Sequence, residues 1–195
     1  MPVKVSLFTE APEGFHYQTE FVTTREEQTL VEHIRPIGFS EIRMRGVTAR
    51  RRVRQFGWRY SFETYRLSEG PRIPDFLEPL QRRAAVLVGV EADALSEALI
   101  TEYPPGATIG WHRDAPVFGI VIGISLLSPC TFRFRRGPGT GEKPLSVVLE
   151  PRSVYVLDGE ARRNWQHSIP ATKSLRYSIT FRTLRKGHAH SHDTA

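Results

Sequence analysis

The chain has 195 residues, of which 39% are hydrophobic and 25% are charged, and its formal net charge is +6. This composition is typical of a single globular domain and excludes disordered and fibrous classes. No apolar run approaches the roughly 20 residues that span a bilayer, and the N-terminus lacks the apolar segment of a secretory signal. The single cysteine, Cys130, leaves no internal disulfide or thiolate zinc cluster. We therefore expect a cytoplasmic monomer without membrane contacts.

The first part of the chain predicts one strand and one helix. Residues 3–9 alternate apolar and polar side chains, which is the pattern of a strand. Thr23 or Thr24 stands just before Glu26, and a threonine followed by acidic residues is typical of a capped helix start. We expect this helix to end near residue 33, before a proline.

Further along the N-terminal half, aromatic and β-branched residues alternate with arginines. Residues 42–64 are expected to be extended, with Gly57 as a turn or bulge position. A second helix is expected from the Ile73-Pro74-Asp75 start to about residue 87. After Asp93 the pattern is compatible with either helix or strand.

The positive charge is concentrated in residues 43–59. This segment has no acidic residue and seven arginines, which are Arg43, Arg45, Arg50, Arg51, Arg52, Arg54 and Arg59. Basic segments of this kind indicate a polyanionic partner such as a nucleic acid. The alternative is an arginine-rich pair of strands that faces solvent.

From residue 99 onward the chain predicts repeated short strands separated by proline and glycine turns. Such a pattern favours a β-sandwich or barrel, with a double-stranded β-helix (jelly roll) as the natural candidate. The fold class is therefore α+β or mainly β, in one domain over residues 1–187. The polar, histidine-rich tail at 188–195 is expected to be disordered. The predicted strands are 109–112, 118–127, 131–135, 146–149, 153–157 and 174–183.

A short motif in one of these strands predicts a metal site. His112 and Asp114 are two residues apart, so an extended backbone projects them to the same face. His167 can return on a neighbouring strand. Two imidazoles and one carboxylate form a facial triad that leaves half of an octahedral coordination sphere open, as in non-haem Fe(II) enzymes that bind a co-substrate and O₂.

The last predicted strand alternates strictly over residues 176–182. Arg176, Ser178, Thr180 and Arg182 share one face, while Tyr177, Ile179 and Phe181 share the other. If the arginines face inward, they need an anion, and a dicarboxylate fits because guanidinium and carboxylate pair in a planar, bidentate geometry. The alternative is that the arginines face solvent and the apolar side chains pack inward.

Together these motifs resemble the AlkB-like family of Fe(II)- and 2-oxoglutarate-dependent dioxygenases. The resemblance rests on Tyr103-Pro104-Pro105-Gly106, His112-Arg113-Asp114, His167 and the 176–182 strand, with vaguer similarity at 56–60 and at Ile73-Pro74. It implies a double-stranded β-helix with an N-terminal lid that recognises substrate. Residues 1–98 would then form the extension and nucleotide-recognition lid, and residues 99–187 the catalytic β core.

The resemblance also implies residue roles. His112, Asp114 and His167 match the iron ligands. Arg176 matches the arginine that binds the distal carboxylate of 2-oxoglutarate, and Arg182 matches a second arginine near co-substrate and metal. Tyr103 and Ser178 match further co-substrate positions, although Tyr103 can also be a packed aromatic.

Three departures from the family pattern bear on substrate. Ser178 and Thr101 replace frequent asparagines. Ala115-Pro116 follows Asp114 where nucleic-acid demethylases of the family often carry an acidic residue that reads the damaged base. Trp111 and Trp165 flank the ligands and are expected to form walls of the pocket.

We expect three possible functions. The leading one is oxidative demethylation of N-alkylated bases in single-stranded DNA or RNA, with Fe(II), 2-oxoglutarate and O₂. The second is the same chemistry on a protein or small molecule, and the third is a non-catalytic nucleic-acid-binding module. In the leading hypothesis phosphates bind to Arg50, Arg51, Arg52 and Arg54, and a base stacks on Phe56, Trp58 or Tyr60. For these aromatic residues the alternative is plain packing within the sheet.

Overall fold

The computed structural model describes residues 11–44, 47–61, 64–137 and 143–185. The strand expected at 3–9 and the tail at 188–195 lie outside these residues. No helix within the described ranges is long and apolar enough to cross a membrane. The elements of the described chain are β1 (Phe15–Gln18), α1 (Thr24–Ile34), β2 (Ser40–Met44), β3 (Val47–Ser61), β4 (Arg66–Glu69), α2 (Glu78–Val88), β5 (Leu95–Tyr103), β6 (Ile109–His112), β7 (Phe118–Leu126), β8 (Cys130–Arg135), β9 (Leu145–Leu149), β10 (Val154–Leu157), α3 (Gly159–Arg163), β11 (Gln166–Ile169) and β12 (Arg176–Leu184).

The strands form two antiparallel sheets. The major sheet has the order β1-β10-β7-β12-β5-β3-β2, with β4 paired to β3, and the minor sheet has the order β6-β11-β8-β9. From β5 to β12 the chain passes repeatedly between the two sheets, which is the winding of a double-stranded β-helix. The predicted jelly-roll core is therefore confirmed.

An aromatic core fills the space between the sheets. Phe15 of β1 contacts Phe134 of β8 with ring centroids 4.9 Å apart, and Phe132 contacts Tyr155 of β10 at the same distance. Because β1 pairs with β10 in the major sheet, residues before 98 contribute to this core. The division near residue 98 into lid and catalytic core stays a prediction.

A second core lies on the other face of the major sheet, where α1 and α2 pack. Its buried members include Leu30, Ile34, Leu80, Ala84, Ile124, Ile179 and Phe181. The major sheet is thus covered on both faces, and β12 is buried along nearly its whole length. The 176–182 strand is buried on both faces: the arginine face meets the inter-sheet space, while Tyr177, Ile179 and Phe181 pack toward the helices. The inward orientation of the arginines is therefore confirmed, and the alternative that they face solvent is wrong.

The predicted helices are present, with differences at their ends. Thr23 is the N-cap of α1: its hydroxyl accepts from the Glu26 backbone N–H at 3.2 Å, and Glu26 Oε2 accepts from the Thr23 N–H at 2.7 Å. The second helix begins as a 3₁₀ turn at Asp75–Leu77 and continues as α2. Residues from Leu95 onward are strand β5, because β3 and β12 pair with it on its two sides.

Candidate metal centre

The minor sheet brings the three predicted ligands together. His112 ends β6 and is the direct cross-strand partner of His167 in β11. Asp114 follows two residues after His112. The candidate ligand atoms of the three residues all lie within 4.8 Å of one another, and His167 Nε2 is 3.5 Å from Asp114 Oδ2.

The electrostatics of the two histidines suit a cation. Burial lowers the pKa of His167 to about 3, and the neighbouring His112 contributes to this shift. His167 is therefore neutral at pH 7 and keeps a nitrogen lone pair. The His112 ring nitrogen Nδ1 lies 2.9 Å from the Gly110 carbonyl oxygen; as the donor in that hydrogen bond, it leaves Nε2 as the lone-pair nitrogen.

Asp114 is held through one of its two carboxylate oxygens. Arg182 Nε and Nη2 donate to Asp114 Oδ1 at 2.9 and 2.5 Å. Burial alone would raise the pKa of Asp114, but Arg182 and the histidines outweigh it and hold the pKa well below its usual range. The other oxygen, Oδ2, is buried and receives no hydrogen bond from any described residue. An ionised carboxylate oxygen without a donor, beside two imidazoles, fits a divalent cation.

Arg182 itself lies between two buried carboxylates. Its Nη1 donates to Glu97 Oε2 at 2.6 Å, and Gln55 Nε2 donates to Glu97 Oε1 at 3.3 Å. Sequence analysis did not single out Glu97 or Gln55. The available signal was an acidic residue directly before the apolar run Ala98-Leu99-Ile100.

The predicted co-substrate residues lie together on β5 and β12. Arg176 and Tyr103 are cross-strand partners, and the Arg176 guanidinium lies 4.9 Å from the Tyr103 ring centre. Arg176 is 1% exposed. Its Nε donates to Ser125 Oγ at 3.0 Å, while its Nη1 has no hydrogen-bond partner in the described part of the chain. Ser125, on β7, carried no signal in the sequence.

A buried guanidinium needs an anion. In the described part of the chain, no carboxylate forms an ion pair with Arg176. The arginines that do pair with a carboxylate there are Arg52, Arg72, Arg82, Arg83, Arg152 and Arg182. Ser178, two residues further along β12, is also buried and pairs with Thr101. The site therefore has a cationic end that fits a carboxylate and, near it, a triad that fits a metal.

Arg162, in α3, fastens the loop that follows Asp114. Its Nη2 donates to the Ala115 and Phe118 carbonyls at 2.7 and 2.8 Å, and its Nε donates to the Gly119 carbonyl at 3.0 Å. Ala115 is buried in a small apolar cluster with Val117 and Phe118. The Ala115-Pro116 segment, where the sequence departs from the family pattern, is therefore part of a fixed, uncharged loop beside the triad.

The structure does not bring the predicted phosphate-binding arginines to one face. Arg52 pairs with Glu102 at 2.6 Å, and the Arg54 guanidinium lies over the Phe56 ring at 5.6 Å, both on the helix side of the major sheet. Arg51 donates to the Thr108 carbonyl at 3.2 Å on the other side. Alternation along β3 causes this division.

The remaining predicted contact residues are also dispersed. Arg50 is exposed and lies beside Gly106. Trp58 lines a cavity of about 580 Å³ together with Arg72, Gln81 and Leu95, away from the triad. Tyr60 packs against the cluster of Ala115, Val117 and Phe118. The substrate-binding roles of Arg50, Arg51 and Tyr60 stay predictions.

One expectation about the tryptophans is wrong. Trp111 does not form a wall of the pocket, because His112 faces inward and its neighbour on the strand must face outward. The Trp111 ring lies beneath the guanidinium groups of Arg133 and Arg135, at 5.0 and 4.5 Å. Trp165 packs against the inter-sheet core.

Comparison with known proteins agrees with this site. Residues 14–182 match the family model of the 2OG-Fe(II) oxygenase superfamily. A mimivirus protein, "Uncharacterized protein L905", is 28% identical over 89% of this chain and 86% of its own length. The "Alkylated DNA repair protein ALKBH8 homolog" of Arabidopsis thaliana is 26% identical over 88% of this chain, and the "Alpha-ketoglutarate-dependent dioxygenase alkB homolog 7, mitochondrial" of Bos taurus is 32% identical over 76%. The chain spans only 58% and 64% of these two relatives.

Solved structures agree in fold. OsALKBH1 superposes with a TM-score of 0.69 over 89% of this chain and 98% of its own, at 15% identity. A Pseudomonas putida prolyl-4-hydroxylase superposes with a TM-score of 0.63 over 89% of this chain and 94% of its own, also at 15% identity.

Proposed function

Because the chain belongs to the 2OG-Fe(II) oxygenase superfamily, as an AlkB-like dioxygenase that uses Fe(II), 2-oxoglutarate and O₂, we propose that it demethylates N-alkylated bases of single-stranded DNA or RNA. The observation that carries the proposal is the His112–Asp114–His167 triad beside the buried, carboxylate-free Arg176. The triad accounts for the oxygenase chemistry. The nucleic-acid substrate rests on separate support.

That support comes from charge and from relatives. The net charge of +6 favours a polyanionic substrate. Among the relatives, the Arabidopsis thaliana protein is named for the repair of alkylated DNA. A Xenopus tropicalis relative, 25% identical over 88% of this chain, is named "tRNA (carboxymethyluridine(34)-5-O)-methyltransferase alkbh8".

The residues of the site would have separate roles in binding the metal, binding the co-substrate and orienting the metal ligands. His112, Asp114 and His167 would hold Fe(II) from one side. Arg176 would bind the distal carboxylate of 2-oxoglutarate, since its buried Nη1 has no hydrogen-bond partner among the described residues. Iron with its co-substrate and O₂ supplies the oxidation of a C–H bond, with succinate and CO₂ as co-products. Arg182 keeps Asp114 ionised and oriented through Oδ1.

The protein must also present the methyl group. Hydroxylation of an N-methyl group gives a hemiaminal, which loses formaldehyde and restores the base. An alkylated pairing edge is buried in a duplex, so the base has to be single-stranded or flipped out of the stack. Phe132, which stacks on His167 with ring centroids 5.2 Å apart, helps exclude water from the inner side of the triad.

The test is product analysis by mass spectrometry. A single-stranded oligonucleotide with one 1-methyladenine or 3-methylcytosine is incubated with protein, Fe(II), 2-oxoglutarate and ascorbate. We expect loss of one methyl group with wild-type protein and none with His167→Ala. Succinate formation without demethylation of any methylated DNA or RNA oligonucleotide would refute the nucleic-acid substrate and keep the oxygenase.

A second candidate is the same oxidation of a protein side chain or a small molecule. It is favoured by the uncharged Ala115-Pro116 loop, which Arg162 fixes by its backbone and which offers no acidic group to a methylated base. Substrate affinity that does not change with salt concentration would support this candidate over the first.

A further inference from the structure

A pair of arginines is held side by side on the outer face of the minor sheet. Arg133 and Arg135 are two apart on β8, so both point away from the inter-sheet core that Phe132 and Phe134 fill. Arg133 Nε donates to Ser168 Oγ at 3.1 Å, and Arg135 Nε donates to Gln166 Oε1 at 2.8 Å. Both guanidinium groups also lie over Trp111. We call these two residues the outer guanidinium pair.

The contacts that hold this pair leave its charge uncompensated. Ser168 and Gln166 are neutral, and the Trp111 ring orients a cation without neutralising it. Among the described residues, no carboxylate forms an ion pair with Arg133 or Arg135. The Nε atoms are occupied, so the Nη ends of two fixed guanidinium groups remain for a ligand. Two guanidinium groups that are held in place and form no ion pair with a described carboxylate fit the oxygens of phosphate groups.

The pair lies on β8, and the residues that support it lie on the strands that carry the metal ligands. Gln166 and Trp111 directly precede His167 and His112, so β11 and β6 present ligands on the inner face and the arginine supports on the outer face. β6 is an edge strand of the minor sheet. A polymer that leaves the site across this edge therefore meets Trp111 and the outer guanidinium pair.

The aromatic and basic character extends to a neighbouring residue. Arg136 is exposed and lies over the Trp165 ring at 5.1 Å. By contrast, Arg52 in the basic 43–59 segment is paired with Glu102. Strand β8 of the minor sheet and the residue after it therefore carry three arginines, Arg133, Arg135 and Arg136, that lie over tryptophan rings and form no ion pair with a described residue.

We propose that the outer guanidinium pair binds backbone phosphates of the single strand that flanks the nucleotide in the active site. This rests on the proposed nucleic-acid substrate. Arg133 and Arg135 supply affinity without reading sequence, because contacts to phosphate carry no base information. Their role is to hold the strand while the reacting base reaches the triad on the opposite face of the same sheet.

The experiment measures binding of an unmethylated, fluorescein-labelled oligothymidylate by anisotropy across a salt series. The Arg133→Gln, Arg135→Gln double variant keeps neutral hydrogen-bonding side chains and loses two charges. We expect about tenfold weaker binding near 0.1 M salt, and a plot of log affinity against log salt that is shallower by about 1.4, which is about 0.7 for each phosphate contact to a single strand.

The matched control is the Arg72→Gln, Arg82→Gln double variant. It removes the same charge from exposed arginines beside Glu78, at the helix side of the molecule. We expect its affinity to stay within about twofold of wild type. Equal weakening in both double variants would show an effect of net charge alone and overturn the proposal, as would unchanged binding by the Arg133→Gln, Arg135→Gln variant.

Two further arms keep the result decisive. If thermal unfolding shows that the glutamine variant is unstable, the Arg133→Lys, Arg135→Lys variant is used instead. It keeps the two charges but loses the planar guanidinium groups, so the affinity for the oligonucleotide should fall while the salt dependence is kept. Unchanged affinity would overturn the proposal. Retention of wild type on a polyglutamate matrix that the glutamine variant loses, with unchanged oligonucleotide binding, would assign the pair to an acidic protein instead. Binding is measured without catalysis, so failure to demethylate leaves this result independent.

Discussion

At the scale of single residues, the site depends on one guanidinium that two buried carboxylates share. Arg182 contacts Asp114 on one side and Glu97 on the other. Burial raises the pKa of Glu97, and Arg182 acts against that shift. Because Arg182 occupies only Oδ1 of Asp114, Oδ2 remains directed toward the histidines. Glu97 therefore positions Arg182, and through it the third iron ligand.

Glu97→Gln should destabilise the protein by about 2 kcal/mol, since it replaces a charge-assisted hydrogen bond from Arg182 by a neutral one in a buried site, while Asp114 still compensates the guanidinium charge. Urea unfolding of the metal-free protein measures this. Glu78→Gln is the matched control, because Glu78 pairs with arginines that are 80% and 71% exposed, and such pairs contribute about 0–1 kcal/mol. Equal effects of the two substitutions would contradict the role of Glu97.

Arg176→Ala should raise the KM for 2-oxoglutarate by about tenfold or more, because a charge-assisted hydrogen bond to a carboxylate contributes about 1.5–3 kcal/mol. Succinate formation at varied 2-oxoglutarate concentrations gives the value. Arg176→Lys should keep part of the affinity, since a lysine retains the charge and loses the fork. An unchanged KM in the alanine variant would remove Arg176 from the co-substrate site.

His167→Ala should abolish Fe(II) binding and turnover while most oligonucleotide affinity is kept. The reason is that His167 lies on the inner face of β11, within the triad and away from the outer arginines. Equilibrium dialysis with Fe(II) under anaerobic conditions tests the first part, and anisotropy tests the second. Stoichiometric iron binding by the variant would show that the triad is not the iron site.

At the scale of elements, the junction of β3 and β5 depends on a residue without a side chain. Gly57 has φ +71°, and its N–H donates to the Pro71 carbonyl at 2.7 Å. An added Cβ would lie 2.1 Å from the Ser96 carbonyl oxygen on β5. The glycine thus permits a bulge that lets β3 continue past the start of β5 to pair with β4.

Gly57→Ala should destabilise the protein by at least about 2 kcal/mol, through the positive φ and the contact with Ser96. Gly38→Ala is the control, since an added Cβ there meets no atom within 4 Å. Chemical denaturation of the two variants compares them. A loss of stability in Gly57→Ala no larger than that in Gly38→Ala would refute the bulge as a packing requirement.

The sequence predicted those elements whose evidence is local. The capping box of α1 is visible in Thr23 and Glu26, and the metal triad is visible in a motif with its returning histidine. Strand β5 was ambiguous because pairing with β3 and β12 decides its conformation. From the sequence, the arginines of β3 were interpreted as one basic stripe. In the structure, alternation along the strand places them on two faces of the sheet.

At the scale of the whole molecule, the site lies between two sheets, and its ligands come from both. The triad belongs to the minor sheet and the loop after it, while Arg176 and Arg182 belong to β12 of the major sheet. Metal and co-substrate together therefore connect the two halves of the jelly roll. A ligand that binds only the folded state stabilises it by mass action.

Adding Mn(II) with 2-oxoglutarate, each at about 100 times its Kd, should stabilise the fold by about 2.7 kcal/mol for each ligand. For a chain of this size this corresponds to a rise in Tm of about 5–10 °C per ligand. Differential scanning fluorimetry measures it. Arg176→Ala should keep the metal increment and lose most of the 2-oxoglutarate increment; loss of both would show that Arg176 acts on the metal site instead.

The position of β6 has a consequence for how the metal-free protein behaves. This strand has four residues, pairs with β11 alone among the described strands, and ends at His112. Without a metal, its hold on the sheet is a short ladder at an open edge, so its amides should exchange with deuterium early. Iron held by His112, His167 and Asp114 would link this edge strand to its neighbour, so loading with iron should slow the exchange of the β6 amides.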